Sequence, residues 1–145
     1  MSEREEQTKE YDVKVKWIEG KSGEVLVEEM PKIRTGKVSE DSKQFHTPEH
    51  LFVASATVCY MNSFVYFTEK MRLEFISFET DAVGTLDKVG RSFEITKIHT
   101  KTKLVIEDEK LKNRFERALE LGAKYCFVAN SMKCPVTHEH EILVR

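Results

Sequence analysis

Cys59, Cys126 and Cys134 are the three thiols of this 145-residue chain, and each admits a chemical and a packing reading. Cys59 sits in a run, Leu51 to Thr68, without a single Lys, Arg, Asp or Glu. A free cysteine in such company ordinarily packs as a small hydrophobe. A reactive one must reach the thiolate, which apolar surroundings disfavour, so it needs a cation that the run does not supply. Cys126 and Cys134 lie eight residues apart, in Tyr125-Cys126-Phe127-Val128 and Lys133-Cys134-Pro135-Val136. With His138 and His140 they make a candidate metal-binding set, although the spacing follows no common zinc pattern. Alternation along a strand would turn both histidines to one face, which suits ligation and a solvated face equally. Glu49 precedes Cys59 by 59 − 49 = 10 positions, about 15 Å of rise on a continuous helix. The two side chains therefore cannot touch within one helix. Glu49 either complements the helix dipole as a first-turn carboxylate or joins a site through a long intermediary or from another subunit.

These residues need elements to hold them. Thr47-Pro48-Glu49 reads as a helix start, with an N-cap, a proline at the first helical position and a first-turn acid. The uncharged run that follows carries Ser55, Thr57, Asn62 and Ser63 and has charged ends close by. It is too polar for a membrane span. A helix apolar on nearly every side must be buried on nearly every side. A sheet on one face and a second subunit on the other would do this, so a homodimer with the helix near its centre is expected. Before the helix, Tyr11, Val13, Val15 and Trp17 alternate with Asp12, Lys14 and Lys16, the pattern of a half-buried strand. Gly20-Lys21-Ser22-Gly23 is turn chemistry, so residues 11–29 read as a hairpin and 35–46 as a loop. After it, residues 73–86 read as a strand, with a turn at Lys88-Val89-Gly90. The next strand has Phe93 and Ile95 on one phase but Ile98, Thr100, Thr102, Leu104 and Ile106 on the other. That switch predicts a bulge near Thr96 to Ile98. Asp108 is a candidate N-cap for a second helix with Leu111, Phe115, Ala118, Leu119 and Gly122 on one face. Residues 136–144 read as a last strand. The order β-β-α-β-β-α-β defines an α+β fold.

Composition narrows the function classes. Lys and Arg number 23 against 25 Asp and Glu, a net charge of −2, which argues against a nucleic-acid-binding protein. With 40% hydrophobic and 10% aromatic residues the chain can build a core. Residues 1–10 read as a flexible charged tail and 11–145 as a single domain. The charged start has no apolar stretch behind it, so a reducing cytoplasm and free thiols are expected.

Thr47-Pro48-Glu49-His50-Leu51-Phe52 followed by Cys59 resembles the OsmC/Ohr family (osmotically induced protein C and organic hydroperoxide resistance protein). Leu86-Asp87-Lys88-Val89 with Phe93-Glu94-Ile95-Thr96-Lys97-Ile98 is similar to that family's middle hairpin. The segment Tyr125 to Lys133 resembles its second cysteine segment, with Phe127 where the family usually has proline. The Cys59-to-Cys126 gap, 126 − 59 = 67, is of the expected size, and the likeness runs over roughly residues 11–145. Aligning instead on Cys134-Pro135-Val136 would give Cys134 the second role; Cys126 fits better through Val128, Asn130, Met132 and Lys133.

The resemblance implies an intertwined homodimer whose sheets wrap two central helices. It implies a thiol peroxidase that takes a small-molecule hydroperoxide and needs no cofactor. Cys59 would be the peroxidatic thiol and Cys126 the resolving thiol. Glu49 would orient an arginine against Cys59, and Arg34 is the candidate, with Lys21 at the family's other common position. A dithiol or a lipoylated protein would be the reductant. Phe52, Tyr60, Phe64 and Phe67 would line an apolar approach. Two other readings stand beside this one: a non-enzymatic dimeric stress or binding protein of the same fold, and a metal-binding module on Cys126, Cys134, His138 and His140.

Overall fold

The computed structural model describes residues 8–37 and 45–145. The chain divides into two compact units, Met1–Pro48 and Glu49–Arg145. Most of the expected charged tail lies outside the described residues; Thr8, Lys9 and Glu10 are exposed coil.

In the first unit, β1 (Lys14–Glu19), β2 (Ser22–Leu26) and β3 (Ile33–Thr35) form an antiparallel sheet in the order β1-β2-β3. Gly20 turns the β1–β2 hairpin at φ +51°, a conformation open to glycine. The Trp17 indole N–H donates to the Gly20 carbonyl at 2.9 Å and ties the strand to its turn. Two expectations are corrected. The first strand is shorter than residues 11–17 suggested, and its apolar side is open, with Val15 70% and Trp17 71% exposed. Alternation tells which residues share a face but not whether anything covers it. β3, whose three residues are too few to show a period, was not expected; it reaches the presumed loop only at Thr35, which makes one further bridge to His46.

The second unit is built on α1 (Pro48–Lys70), β4 (Ser77–Val89), β5 (Ser92–Ile106), α2 (Lys112–Lys124), α3 (Phe127–Asn130) and β6 (Val136–Val144). Its sheet has the order β4-β5-β6, antiparallel between β4 and β5 and parallel between β5 and β6. The β4–β5 turn lies at Gly90 and Arg91, at the end of the expected Lys88-Val89-Gly90, with φ +62° at Gly90. The predicted bulge is present. Thr85 pairs with Lys97 and Leu86 with Ile95, which leaves Thr96 as the extra residue. The Thr96 hydroxyl bonds the Asp87 carboxylate across the hairpin. Downstream of the bulge Ile98, Thr100, Thr102, Leu104 and Ile106 all turn inward and are buried.

One stripe of α1, Ala56, Tyr60, Phe64 and Thr68, is buried at a spacing of four, the repeat of one helix face. Phe64 lies against Phe75 and Phe78 at ring-centroid distances of 5.2 and 5.1 Å. Removing so fully buried a ring, as in Phe64→Ala, costs about 3–5 kcal/mol. The other faces of α1 are open within the chain: Val58 is 51% exposed and Tyr66 42%. Burial on nearly every side is thus not achieved by one chain. By length and apolar composition α1 could cross a bilayer, yet its buried stripe packs on the sheet as a core helix does.

Asp108 caps a short 3-10 turn, Glu109–Leu111, by accepting from the Lys110 N–H, and that turn runs into α2. Phe115, Ala118, Leu119 and Gly122 are buried, as their spacing predicted. Gly122 lets the helices close: a Cβ there would stand 3.1 Å from both Cα and N of Phe64. The α+β class holds, with β3 and α3 added to the expected order.

Candidate active site

The apolar run that forms α1 puts Cys59 in its middle, next to the buried Tyr60 but only half-buried itself. Cys126 ends the turn between α2 and α3 and is fully buried in the same core as Tyr60 and Phe64. Although 67 residues separate them (126 − 59), the two thiols are neighbours. The Cys126 thiol donates to the Ala56 carbonyl, one turn before Cys59, at 3.7 Å, and Cys59 is its other hydrogen-bonding neighbour. Burial pushes the Cys126 thiol up to about 11; the Ala129 and Val128 N–H groups oppose this, and the adjacent Cys59 reinforces it. Cys126 is therefore held as a protonated thiol at neutral pH, with backbone donors already aimed at its sulfur. Cys59 is the more accessible of the pair.

The remaining expected site residues are distributed as follows. Glu49 is exposed in the first turn of α1, ten positions before Cys59 (59 − 49) on one unbroken helix, so the two do not meet on this helix. Arg34 lies in the first unit, on β3. Its Nε donates to Ser22 Oγ at 3.1 Å and its guanidinium lies 4.5 Å over the Phe45 ring. Lys21, the alternative cation, lines the same cleft of about 440 Å³ together with Glu19, Lys37 and Phe45. Of the expected apolar lining, Tyr60 and Phe64 are core residues, 1% and 0% exposed; Phe52 is 38% exposed.

The metal reading does not survive. Among the described residues no group of three or more Cys, His, Asp or Glu gathers as a ligand set. Cys126 faces Cys59, and Cys134 packs in a separate cluster with Ala56 and Ile98. His138 Nδ1 is 2.7 Å from Thr100 Oγ1, and His140 Nε2 is 2.9 Å from Glu116 Oε2. Alternation on β6 put the histidines on one strand but gave each a different partner.

A polar cluster beneath α1 was not foreseen. Tyr60 stacks on His138 with centroids 4.0 Å apart and planes at 19°, and Phe78 is tilted against it at 6.1 Å. Thr102 donates to Thr80 at 2.9 Å. The signal was present in the inward phase of β5, where Thr100 and Thr102 interrupt isoleucine and leucine.

Comparison with known proteins gives a consistent result. A family profile described as OsmC-like protein matches residues 40–141. No curated protein matches the chain. An OsmC-like protein of unknown function from Vibrio cholerae superposes with a TM-score of 0.81 at 21% identity, covering 92% of this chain and 100% of that one. The organic hydroperoxide resistance protein OhrB of Bacillus subtilis gives 0.65 at 14%, covering 91% and 98%. An organic hydroperoxide resistance protein from Legionella pneumophila gives 0.71 at 14%, covering 94% and 100%. At these identities the structures speak for the fold, while the profile spans well over half of the sequence: this chain belongs to the OsmC-like protein family.

Proposed function

We propose that the protein is a cysteine-based peroxidase that reduces organic hydroperoxides. The observation that carries this reading is the adjacency of a half-buried and a fully buried thiol, Cys59 and Cys126, brought together from distant parts of the chain. Fold relatives described as organic hydroperoxide resistance proteins support it.

The Cys59 thiolate attacks the distal oxygen of the hydroperoxide. The O–O bond breaks, the alkoxide takes a proton and leaves as alcohol, and Cys59 becomes a sulfenic acid. The Cys126 sulfur then displaces hydroxide from that sulfenic sulfur. Its proton goes with the hydroxide as water, and a Cys59–Cys126 disulfide forms. The Val128 and Ala129 N–H groups stabilise the negative charge that grows on Cys126 as its proton departs. A dithiol of the reducing cytoplasm, small or lipoyl-borne, restores both thiols by exchange and leaves as its own disulfide.

Cys59 still requires a cation. Arg34 is the candidate, to be oriented by Glu49 as the resemblance implies, because a planar fork can bind a carboxylate and a peroxide oxygen together; Lys21, the alternative, offers only a point charge. A homodimer would cover the open faces of α1, and sedimentation should show a dimer that Val58→Glu dissociates; a monomeric wild type would refute it. The functional test is stopped-flow consumption of cumene hydroperoxide with dithiothreitol. Wild type should turn over and Cys59→Ser should lose at least a thousandfold, whereas turnover that survives in Cys59→Ser would defeat the reading.

A further inference from the structure

Hydrophobic burial is non-directional, so the contacts of the buried stripe must set the angle of α1; apolar area alone discriminates weakly among rotations of the helix about its own axis. Its hydroxyls do little to choose among them: Ser55, Thr57 and Thr68 return their bonds to carbonyls of α1 itself. Tyr60 is different. Its ring enters a slot lined by His138 of β6, stacked on it at 4.0 Å, and Phe78 of β4, tilted at 6.1 Å, and its side chain is hydrogen-bonded to Thr102 of β5. The His138 ring is in turn held from β5, its Nδ1 2.7 Å from the buried Thr100 hydroxyl. Tyr60 is 1% exposed and immediately follows Cys59.

The angular tolerance at Cys59 is small. A Cβ atom rides about 3.3 Å from a helix axis, so a slip of ~20° carries it about 1.2 Å sideways, and the sulfur beyond it farther. The Cβ–Cβ window of a disulfide spans only about 1 Å. We infer that His138 is a positioning residue: by closing the slot on the Tyr60 ring it fixes the rotation of α1, and so aims Cys59 at Cys126. This rests on the Cys59–Cys126 exchange proposed above and adds to it the element that sets its geometry.

The experiment equilibrates the protein with reduced and oxidised glutathione and counts Cys59–Cys126 disulfide by mass after alkylation. A Cys134→Ser background leaves two thiols to score. His138→Ala should lower the effective concentration of the pair about tenfold, and His138→Phe, which restores a ring, should recover most of the loss. Phe115→Leu, in the same core but outside the slot, serves as a control for a comparable drop in melting temperature and should leave the equilibrium near wild type. Should His138→Ala fail to fold, His138→Leu carries the same comparison. A wild-type equilibrium in the ringless variant, no recovery with phenylalanine, or an equal loss in Phe115→Leu would each overturn the assignment. No peroxide enters this measurement. A wild type that closes its disulfide yet consumes no hydroperoxide would sink the peroxidase reading and leave the slot standing.

Discussion

Alkylation of the two neighbouring thiols should separate them by a wide margin. Iodoacetamide reacts with thiolate, and burial raises Cys126 from its ordinary 9.0 to about 11. At pH 7 the thiolate fraction of the unperturbed group is about 10⁻², against about 10⁻⁴ for Cys126 in place, a hundredfold difference from ionisation alone. Complete burial adds a steric barrier to the same rate. The native protein is sampled over time, and each cysteine peptide is quantified by mass. The same chain in urea provides the unhindered rate for every site. Native Cys126 should react at least a hundredfold more slowly than unfolded Cys126, and should gain about tenfold per pH unit up to about pH 11. Half-buried Cys59 should be the first of the pair to be modified. A native Cys126 rate within tenfold of its unfolded rate would refute the argument that burial keeps this thiol protonated.

Gly122→Ala sets two magnitudes against each other. Helix propensity favours alanine by about 1 kcal/mol, but the new Cβ, 3.1 Å from the Phe64 backbone, overpacks the α1–α2 contact by about 1–3 kcal/mol; calorimetry should find the melting temperature about 3 °C lower, and an unchanged or higher value would reject the close-contact account. His138 is pushed down to about 4, by burial first and the nearby His99 second, from an ordinary 6.5. The unfolded chain therefore binds the extra proton, so the stabilisation is complete above pH 6.5 and is lost as pH falls toward 4. Discounted for the part-exposed ring, the loss is about 1–2 kcal/mol, and urea midpoints should fall less steeply with acid in His138→Phe than in wild type; identical slopes would refute it.

Much of the second unit was legible because its signals are local. The phase switch between Ile95 and Ile98 marked the Thr96 bulge, and the spacing from Phe115 to Gly122 marked the buried face of α2. Asp108 announced a helical start but served the 3-10 turn before it. β3 escaped because three residues carry no period, and α3 because a single turn after Cys126 has neither cap nor pattern. The open face of Val15 and Trp17 illustrates a different limit, since a repeat says nothing about what lies opposite. In the site, Cys59 and Cys126 could be paired only by resemblance, because contacts across 67 residues (126 − 59) leave no mark on composition or spacing. The slot around Tyr60 takes one residue from each of three elements, and such a conjunction exists only after the strands have aligned. The dispersal of Cys134, His138 and His140 follows the same logic in reverse: neighbours in sequence were drawn to different tertiary partners.

The unpaired Thr96 divides the long β4–β5 ribbon into two stretches that answer to different constraints. Between the bulge and the tip, side chains such as Phe93 and Val89 face outward and can change with little consequence for the interior. Beyond it, a pairing error of one residue would bring Lys97, Lys101 and Lys103 under the helix in place of Ile98, Thr102 and Leu104. The spare residue acts as a firebreak: misalignment that starts at the turn can be absorbed there before it reaches the strand segment on which α1 rests.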